Sequence, residues 1–353
     1  MSTYLPDAPH PGSPPAGGSR AHPPGSRRPG ARRPGGRGRR SSPWTWRWSD
    51  RLVLVCSWGA GLALCAIAAA IVIYMGYRGI QYLRPSLIFT RPQISESSGA
   101  AVSGGLLDPL LGTLLLTLIG VVLALPLALG CAVWVAEYGR PSWLARAVES
   151  SIEVIAGTPD IVIALFGLAI FQLGILAPLS FRAEAGGVYG RSFFAAGAMM
   201  SLLALPPIYA ASRDGLQAVP AHMREAAFAL GKTRIATIRR VLVPAVRSNI
   251  ATGVTLGMSR IIGSTAIVLL LLGGLRFDSQ GGVPGLNILR GTGSALTSYV
   301  YEVSPAGEGA APQKAYAAAF VLLLFVLALN VIVDRIGRAN MSASGMTVAG
   351  AVV

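Results

Sequence analysis

An all-α, polytopic membrane protein with six transmembrane helices is the fold class this sequence predicts, and three observations carry it. Hydrophobic residues make up 52% of the chain against 13% charged, and the mean hydropathy is +0.56. Apolar stretches recur at the length of a bilayer crossing, roughly 20 residues for about 30 Å of hydrocarbon. Lys and Arg are also divided unevenly among the connecting loops. A chain so composed does not form one water-soluble globule. In lipid a helix survives because it satisfies its own backbone hydrogen bonds.

Residues 1–50 are rich in Pro, Gly, Ser and Arg, with almost nothing aliphatic to bury, and are expected to form a disordered tail. Counted through Arg51, this region holds ten of the thirty basic residues and accounts for much of the +15 net charge. A nucleic-acid partner is one reading of such a run. The simpler reading is that basic residues beside a first membrane segment keep its N-terminus inside and attract anionic lipid, at about 1 kcal/mol each. Nucleic acid is therefore not an expected partner, and the lipid bilayer is. Trp44, Trp46 and Trp48 stand where an interfacial aromatic belt belongs.

The first span is predicted over Leu52–Tyr77, too long and too late in the chain for a cleaved signal peptide. The others are predicted over Leu110–Val135, Ile152–Pro178, Phe193–Ala211, Ile250–Leu275 and Tyr316–Val333. The third contains the breaker Gly157-Thr158-Pro159, and Pro126, Pro206 and Pro207 are expected to interrupt their helices. The membrane domain then covers 51–338, with a flexible tail over 339–353. An even count puts both termini on one side, together with the loop from Ser212 to Asn249. That loop carries Arg213, Arg224, Lys232, Arg234, Arg239, Arg240 and Arg247, whereas the loop from Arg276 to Gln313 has only Arg276 and Arg290. The basic side is expected to be cytoplasmic, in a bacterial cell membrane.

Catalytic chemistry finds no constellation. His10, His22 and His222 are far apart, and Cys56, Cys65 and Cys131 lie in apolar spans where buried thiols are expected, with no metal spacing. Ala226 to Thr233 reads A-x-x-x-x-G-K-T, a loosened phosphate loop. It is rejected because Ala226 replaces the first glycine, Phe228 is bulky, and an alanine-rich helical run rather than a strand precedes the Lys.

The basic loop contains a short helix suited to docking. Pro220 fits its start and Gly231 its end, and between them run Arg224, Glu225, Ala226, Ala227, Phe228 and Leu230. Small Ala226 and Ala227 permit close approach of another surface, Met223, Phe228 and Leu230 supply apolar contact, and Glu225 offers one charge. An ordinary interfacial loop helix is the plain alternative.

The string E-A-A-x-x-x-G from Glu225 to Gly231, followed by V-L-V-P ending at Pro244, resembles the inner-membrane permease subunits of ATP-binding-cassette importers. The resemblance runs from about Leu106 to Arg338 and looks like the phosphate importer permeases of the PstA type. Thr113 to Thr117, the Ala124 to Gly130 run, Ala136-Glu137-Tyr138, Ala156 to Pro159, Phe166-Gly167-Leu168 and the Ala218 to Pro244 region carry it. It implies the permease fold and no chemical step in this chain. It also implies a second homologous permease subunit, two cytoplasmic ATPase subunits and an extracytoplasmic phosphate-binding protein. No cofactor is expected on this chain, and ATP and Mg belong to the ATPase.

The family commonly has Arg followed closely by Gly-Glu-Thr in the fifth span, whereas this sequence reads Arg260-Ile261-Ile262-Gly263-Ser264-Thr265. Ser264 stands in place of the carboxylate, so the cargo could be another oxyanion or a small solute. A charge inside a span costs about 2.5–3.5 kcal/mol and normally points at protein or a watery path. Arg260, Ser264 and Thr265 are thus expected to line the translocation pathway, with Asp160 as the candidate partner of Arg260. A purely structural Arg260–Asp160 pair is the competing reading.

Overall fold

The computed structural model describes residues 48–94, 102–139, 141–181, 189–273, 286–307 and 311–343. The tail through residue 47, with Trp44 and Trp46, lies outside them, as do Arg276 and residues 344–353. By its internal contacts the chain divides into two units at Leu64.

The described part of the first unit is the leading half of α1 (Trp48–Ile80). Leu52, Val53, Val55, Trp58 and Leu62 are exposed there. A helix that is apolar all round and of this length has the composition of a membrane span. Cys56 and Cys65 are exposed on this apolar helix and Cys131 is half-buried, which corrects the expectation of buried thiols.

In the second unit α1 ends at Ile80, with Arg78 in its last turn. Short α2 (Pro85–Phe89) follows, then a two-stranded antiparallel sheet of β1 (Pro92–Ile94) and β2 (Val102–Gly104), registered Gln93 against Ser103. Among the described residues this small sheet supplements an otherwise helical set of elements.

Next come α3 (Leu107–Val133), continued by a π-helical turn over Trp134–Tyr138, then α4 (Ser142–Gly157), α5 (Asp160–Phe171) and α6 (Phe193–Ala218). On α3 the residues Gly112, Leu116, Gly120, Ala124, Ala128 and Ala132 are all buried at a four-residue spacing. That mostly small ridge lets the backbones of α3 and α6 approach closely, the usual means of packing where lipid supplies no hydrophobic drive. A Cβ on Gly120 would lie 2.7 Å from Ile261 Cδ1, and one on Gly197 of α6 2.5 Å from Ile119 Cγ2. Helix α6 is central, with 67% of its most apolar window buried. Ser192 caps it by accepting a hydrogen bond from the Ala195 N–H at 3.0 Å.

The chain continues through α7 (Ala221–Ala229), α8 (Arg234–Thr237), a π-helical turn over Ile238–Leu242, and α9 (Val243–Ala245). Then come α10 (Arg247–Gly263), α11 (Thr265–Leu271), α12 (Leu286–Arg290), α13 (Leu296–Val303) and α14 (Pro312–Ala343). Gly253 and Gly257 set α10 against α6, where added Cβ atoms would lie 3.0 Å from Ile208 Cα and 3.1 Å from Ala204 Cβ respectively. Helix α14 meets α1 through an edge-on Tyr74–Tyr316 contact at 6.0 Å and at Gly79, where a Cβ would lie 2.5 Å from that of Phe320.

Among the described residues four helices are long and apolar enough to cross a membrane: α1, α3 with its π turn, α6 and α14. The number reaches six if each of two bent pairs is one span. One pair is α4 and α5, bent by 105°, so the predicted third span is no straight helix. Pro159 lacks the N–H that would continue α4 and biases Thr158 to the extended conformation it adopts, with ψ 130°. The other pair, Arg234–Ala245 with Arg247–Gly263, is bent by 69°, and α10 then breaks again before α11. The predicted fifth span, Ile250–Leu275, is therefore also interrupted. Conversely, α3 runs on through Pro126 and α6 through Pro206 and Pro207, contrary to the expected interruptions. Neighbouring helices re-satisfy backbone groups freed by proline in a bundle. Helix α14 likewise extends past 338.

Candidate functional site

Two places bring the singled-out residues together: the loop around α7, and the junction of the broken helices.

Pro220 starts α7, and the helix ends in a Schellman arrangement. The Lys232 N–H donates to the Ala227 carbonyl at 3.1 Å and the Gly231 N–H to that of Phe228 at 2.9 Å. Gly231 has φ +72°, the left-handed conformation that favours glycine. Thr233 then caps α8 by accepting from the Ala236 N–H at 3.3 Å.

The two faces of α7 differ. Ala227 is buried against the chain itself, and Met223 packs on the main core. Glu225 and Ala226 are exposed, as are Phe228 at 44% and Leu230 at 78%, joined by Ile235 of α8 at 71%. Pro244 is half-buried in α9. Of the two alanines expected to form a close-approach surface, Ala226 alone faces outward.

Arg224 turns inward. Its Nε lies 2.9 Å from Glu137 Oε1, while its Nη1 and Nη2 donate to the carbonyls of Val219 at 2.8 Å and Leu216 at 2.7 Å. Those carbonyls belong to the end of α6, where a helix leaves acceptors unpaired and carries negative partial charge. One guanidinium thus joins α7, the end of α6 and the π turn of α3. Arg234 reinforces the joint, its guanidinium 5.1 Å from the centre of the Tyr138 ring and its Nη1 donating to the Glu137 carbonyl at 3.4 Å. The sequence presents Glu137 only as part of a helix end. The available signal is a carboxylate at the end of an apolar span, facing a basic loop.

At the other junction Asp160 opens α5 immediately after the Thr158-Pro159 break, and Arg260 lies in the last turn of α10. Arg260 Nη2 and Asp160 Oδ1 are 3.6 Å apart, with the side chains 50% and 31% exposed. Ser264 forms the break between α10 and α11; it is buried, and its Oγ has no hydrogen-bond partner. Thr265, half-buried, opens α11, which packs on α5. Nearby, Asn330 Nδ2 of α14 donates to Ser259 Oγ at 3.4 Å. The arrangement can present the part-exposed Arg260 guanidinium to an anion at a broken helix end, whereas the Ser264 hydroxyl is buried. Among the described residues no group of three or more His, Cys, Asp and Glu could hold a metal.

Away from both places, α13 carries two buried polar groups without partners, Tyr299 Oη and Glu302 Oε2. Burial pushes the Tyr299 hydroxyl up to about 12 and the Glu302 carboxyl up to about 7.

Apolar helices of bilayer length, bent pairs between them and a basic loop helix anchored to two of them define a polytopic membrane protein. The chain belongs to the family described as binding-protein-dependent transport system inner membrane component, which it matches over residues 124–340. It is similar to the phosphate transport system permease protein PstA 1 of Mycobacterium tuberculosis (strain CDC 1551 / Oshkosh). The two are 33% identical over 228 residues, 65% of this chain and 69% of that protein. The phosphate transport system permease protein PstC 2 of Mycobacterium tuberculosis (strain H37Rv) is 29% identical over 241 residues, 64% of this chain and 74% of that protein. Among solved structures, a bacterial alginate transporter in complex with an alginate pentasaccharide-bound periplasmic protein aligns with a TM-score of 0.53 and 13% identity. That alignment covers 82% of this chain and 93% of the other, a likeness of fold. The chain is a permease subunit of an importer, a transport component without a chemical step of its own.

Proposed function

We propose that this chain is one of two homologous permease subunits in an ATP-driven importer of inorganic phosphate in a bacterial cell membrane. The second permease completes the translocation pathway, two cytoplasmic ATPase subunits bring ATP and Mg, and an extracytoplasmic phosphate-binding protein delivers the cargo. Both termini and the α7 loop face the cytoplasm, a reading supported by the basic residues of 212–249. The ATPase docks on the outward face of α7, at Glu225, Ala226, Phe228, Leu230 and Gly231. Its closure on nucleotide reaches α3 and α6 through Arg224. Transport follows from nucleotide favouring one of two membrane conformations.

The phosphate reading is carried by similarity to permeases of both phosphate transport types, PstA and PstC, at 33% and 29% identity. The site chemistry agrees with it. Arg260 has several fixed N–H donors, which match an oxyanion better than an ammonium would, and Asp160 holds only part of them. Ser264 and Thr265, at the helix break that follows Arg260 in the chain, carry hydroxyls. Ser264 also favours a second reading, transport of a different oxyanion, because it removes the carboxylate common at that place in the family.

Reconstitution of the complex, with ATP-dependent uptake of labelled phosphate measured against sulfate and molybdate, tests the proposal. Phosphate is expected to be taken up selectively. A preference for either competitor overturns the cargo assignment.

A further inference from the structure

Three segments meet at the start of α6 and bring two arginines, Arg191 and Arg290, to one place. The Phe193 N–H donates to the Gly291 carbonyl at 3.0 Å, two residues after the first arginine and one after the second. The Ser192 N–H donates to the Leu271 carbonyl at 3.0 Å, which ties in the end of α11. Both arginines are half-buried, and among the described residues neither side chain has a hydrogen-bond or ion-pair partner. Arg290 Nε is wholly buried in that condition. The segments 189–193, 264–273 and 286–301 contain no acidic residue. Glu302 comes next, and burial alone raises its carboxyl, so no cation stands beside it.

Arg191 is held in place by its own backbone. The Phe181 N–H donates to the Arg191 carbonyl at 2.7 Å, Gln172 Nε2 donates to the Tyr189 carbonyl at 3.5 Å, and Gly190 between them has φ +68°. The guanidinium lies over exposed Gly273, where a Cβ would be 2.7 Å from Arg191 Nη1 and 3.1 Å from Cζ. The cradle exists because Gly273 has no side chain. Its place in the bundle is fixed by α6, whose 26 residues span about 39 Å at about 1.5 Å each. Arg224 grips the carbonyls at the far end of that helix, so Arg191 and Arg290 lie at the end opposite α7. Helix α11, seven residues or about 10 Å long, runs from the Ser264 break to the cradle.

A half-buried charge is ordinarily paired, and a charged donor without an acceptor costs more than a neutral one, so two such groups together call for an anion. We propose that Arg191 and Arg290 form a second anion site, separate from Arg260 and on the face of the bundle opposite α7, where an oxyanion is received. That this face is extracytoplasmic and the anion phosphate rests on the function proposed above; the site itself does not. Guanidinium forks match the oxygens of a small oxyanion. Half-buried arginines over a bare glycine suit such an ion better than the flat face of a protein, which meets exposed side chains.

The test uses the full chain in its purified membrane complex, with labelled inorganic phosphate and, in parallel, labelled sulfate measured by equilibrium dialysis. Wild type is compared with Arg191→Gln/Arg290→Gln and with Arg260→Gln. The double variant is expected to lose a bound anion that Arg260→Gln keeps. Each guanidinium removed should weaken that binding by about tenfold, the worth of one hydrogen bond to a charged group. Arg191→Lys/Arg290→Lys keeps the charge without the fork and is expected to fall between wild type and the double variant. If the double variant fails to assemble, Arg191→Gln and Arg290→Gln singly carry the same measurement. Loss of sulfate in place of phosphate keeps the site and removes phosphate as its anion. If the variants, monodisperse and with their partners bound, retain both anions as wild type does, the proposal is overturned.

Discussion

Arg224 of α7 and Glu137 of the π turn after α3 form an ion pair of 2.9 Å, with their side chains only 23% and 9% exposed. The pair joins residues far apart in sequence. Because the other two guanidinium nitrogens hold the last carbonyls of α6, a displacement of α7 is transmitted to two helices at once.

The pair is partly withdrawn from water, and removing one member of such a pair leaves the other unsatisfied. Loss of Glu137 strands a guanidinium that keeps two carbonyl acceptors, whereas loss of Arg224 strands the carboxylate and uncaps α6. Glu137→Ala is therefore expected to cost about 2 kcal/mol and Arg224→Ala about 3 kcal/mol. The double variant should be somewhat more stable than Arg224→Ala alone, because no carboxylate is left stranded. Thermal unfolding of the purified chain in detergent measures this, and additive losses would mean that the two residues do not act as one joint.

Glu225 is adjacent in sequence yet exposed, so its replacement should leave the fold alone. Glu225→Arg is expected to keep the melting temperature of the wild type while weakening capture of the ATPase subunits by at least roughly tenfold, about 1.4 kcal/mol. Co-purification of the complex reads the outcome. Undiminished capture, or a loss matched by lower stability, would remove the outward face of α7 from the coupling surface.

The membrane class and the end of α7 at Gly231 are legible in the sequence because each has a local physical cause: apolar length in one case, a left-handed residue in the other. The break at Thr158-Pro159 is legible too, since proline acts on its own chain. Its bend of 105° is not, because the angle depends on what α5 packs against. Arg224 and Glu225 look equivalent in a linear motif, and only the positions of Glu137 and the α6 carbonyls separate an anchor from an exposed contact. The prolines of α3 and α6 mislead for the same reason, as neighbouring helices decide whether a proline ends a helix. The Arg260–Asp160 proximity is reachable from sequence because few charges occur in the spans and each needs a partner or a path.

Close approach of α10 to α6 rests on missing side chains. A Cβ at Gly257 would lie 3.1 Å from both Ala204 Cβ and Ile208 Cγ1 and 3.2 Å from the Ala204 carbonyl oxygen, so Gly257→Val overpacks the contact by about 2 kcal/mol. Gly130, where an added Cβ would have nothing within 4 Å, should accept Ala without loss. Unfolding midpoints of the two variants are expected to differ in that order, and equal behaviour would show that α10 and α6 are free to separate.

The Arg260–Asp160 pair is half exposed at 3.6 Å, so breaking it should cost less than about 1 kcal/mol of stability. Arg260→Gln and Asp160→Asn are both expected to assemble normally. Uptake should fall sharply in Arg260→Gln and less in Asp160→Asn, which leaves the cation in place. If Arg260→Gln keeps both assembly and anion uptake, the pathway role fails and the pair is structural.

Glu302 of α13 gives a pH dependence whose sign follows from its surroundings. Burial and the lack of a partner for Oε2 raise its carboxyl from about 4.5 to about 7, so the folded chain holds a proton that the unfolded chain releases between those values. The stabilising contribution is complete below about 4.5 and is lost as pH rises through about 7. The melting temperature of the wild type should therefore decline between about pH 5 and about pH 8. Glu302→Gln has nearly the same shape and cannot ionise, so its melting temperature should change less over that interval and exceed the wild-type value at about pH 8. Parallel curves for the two proteins would place the Glu302 carboxylate in contact with water or a cation in the folded state.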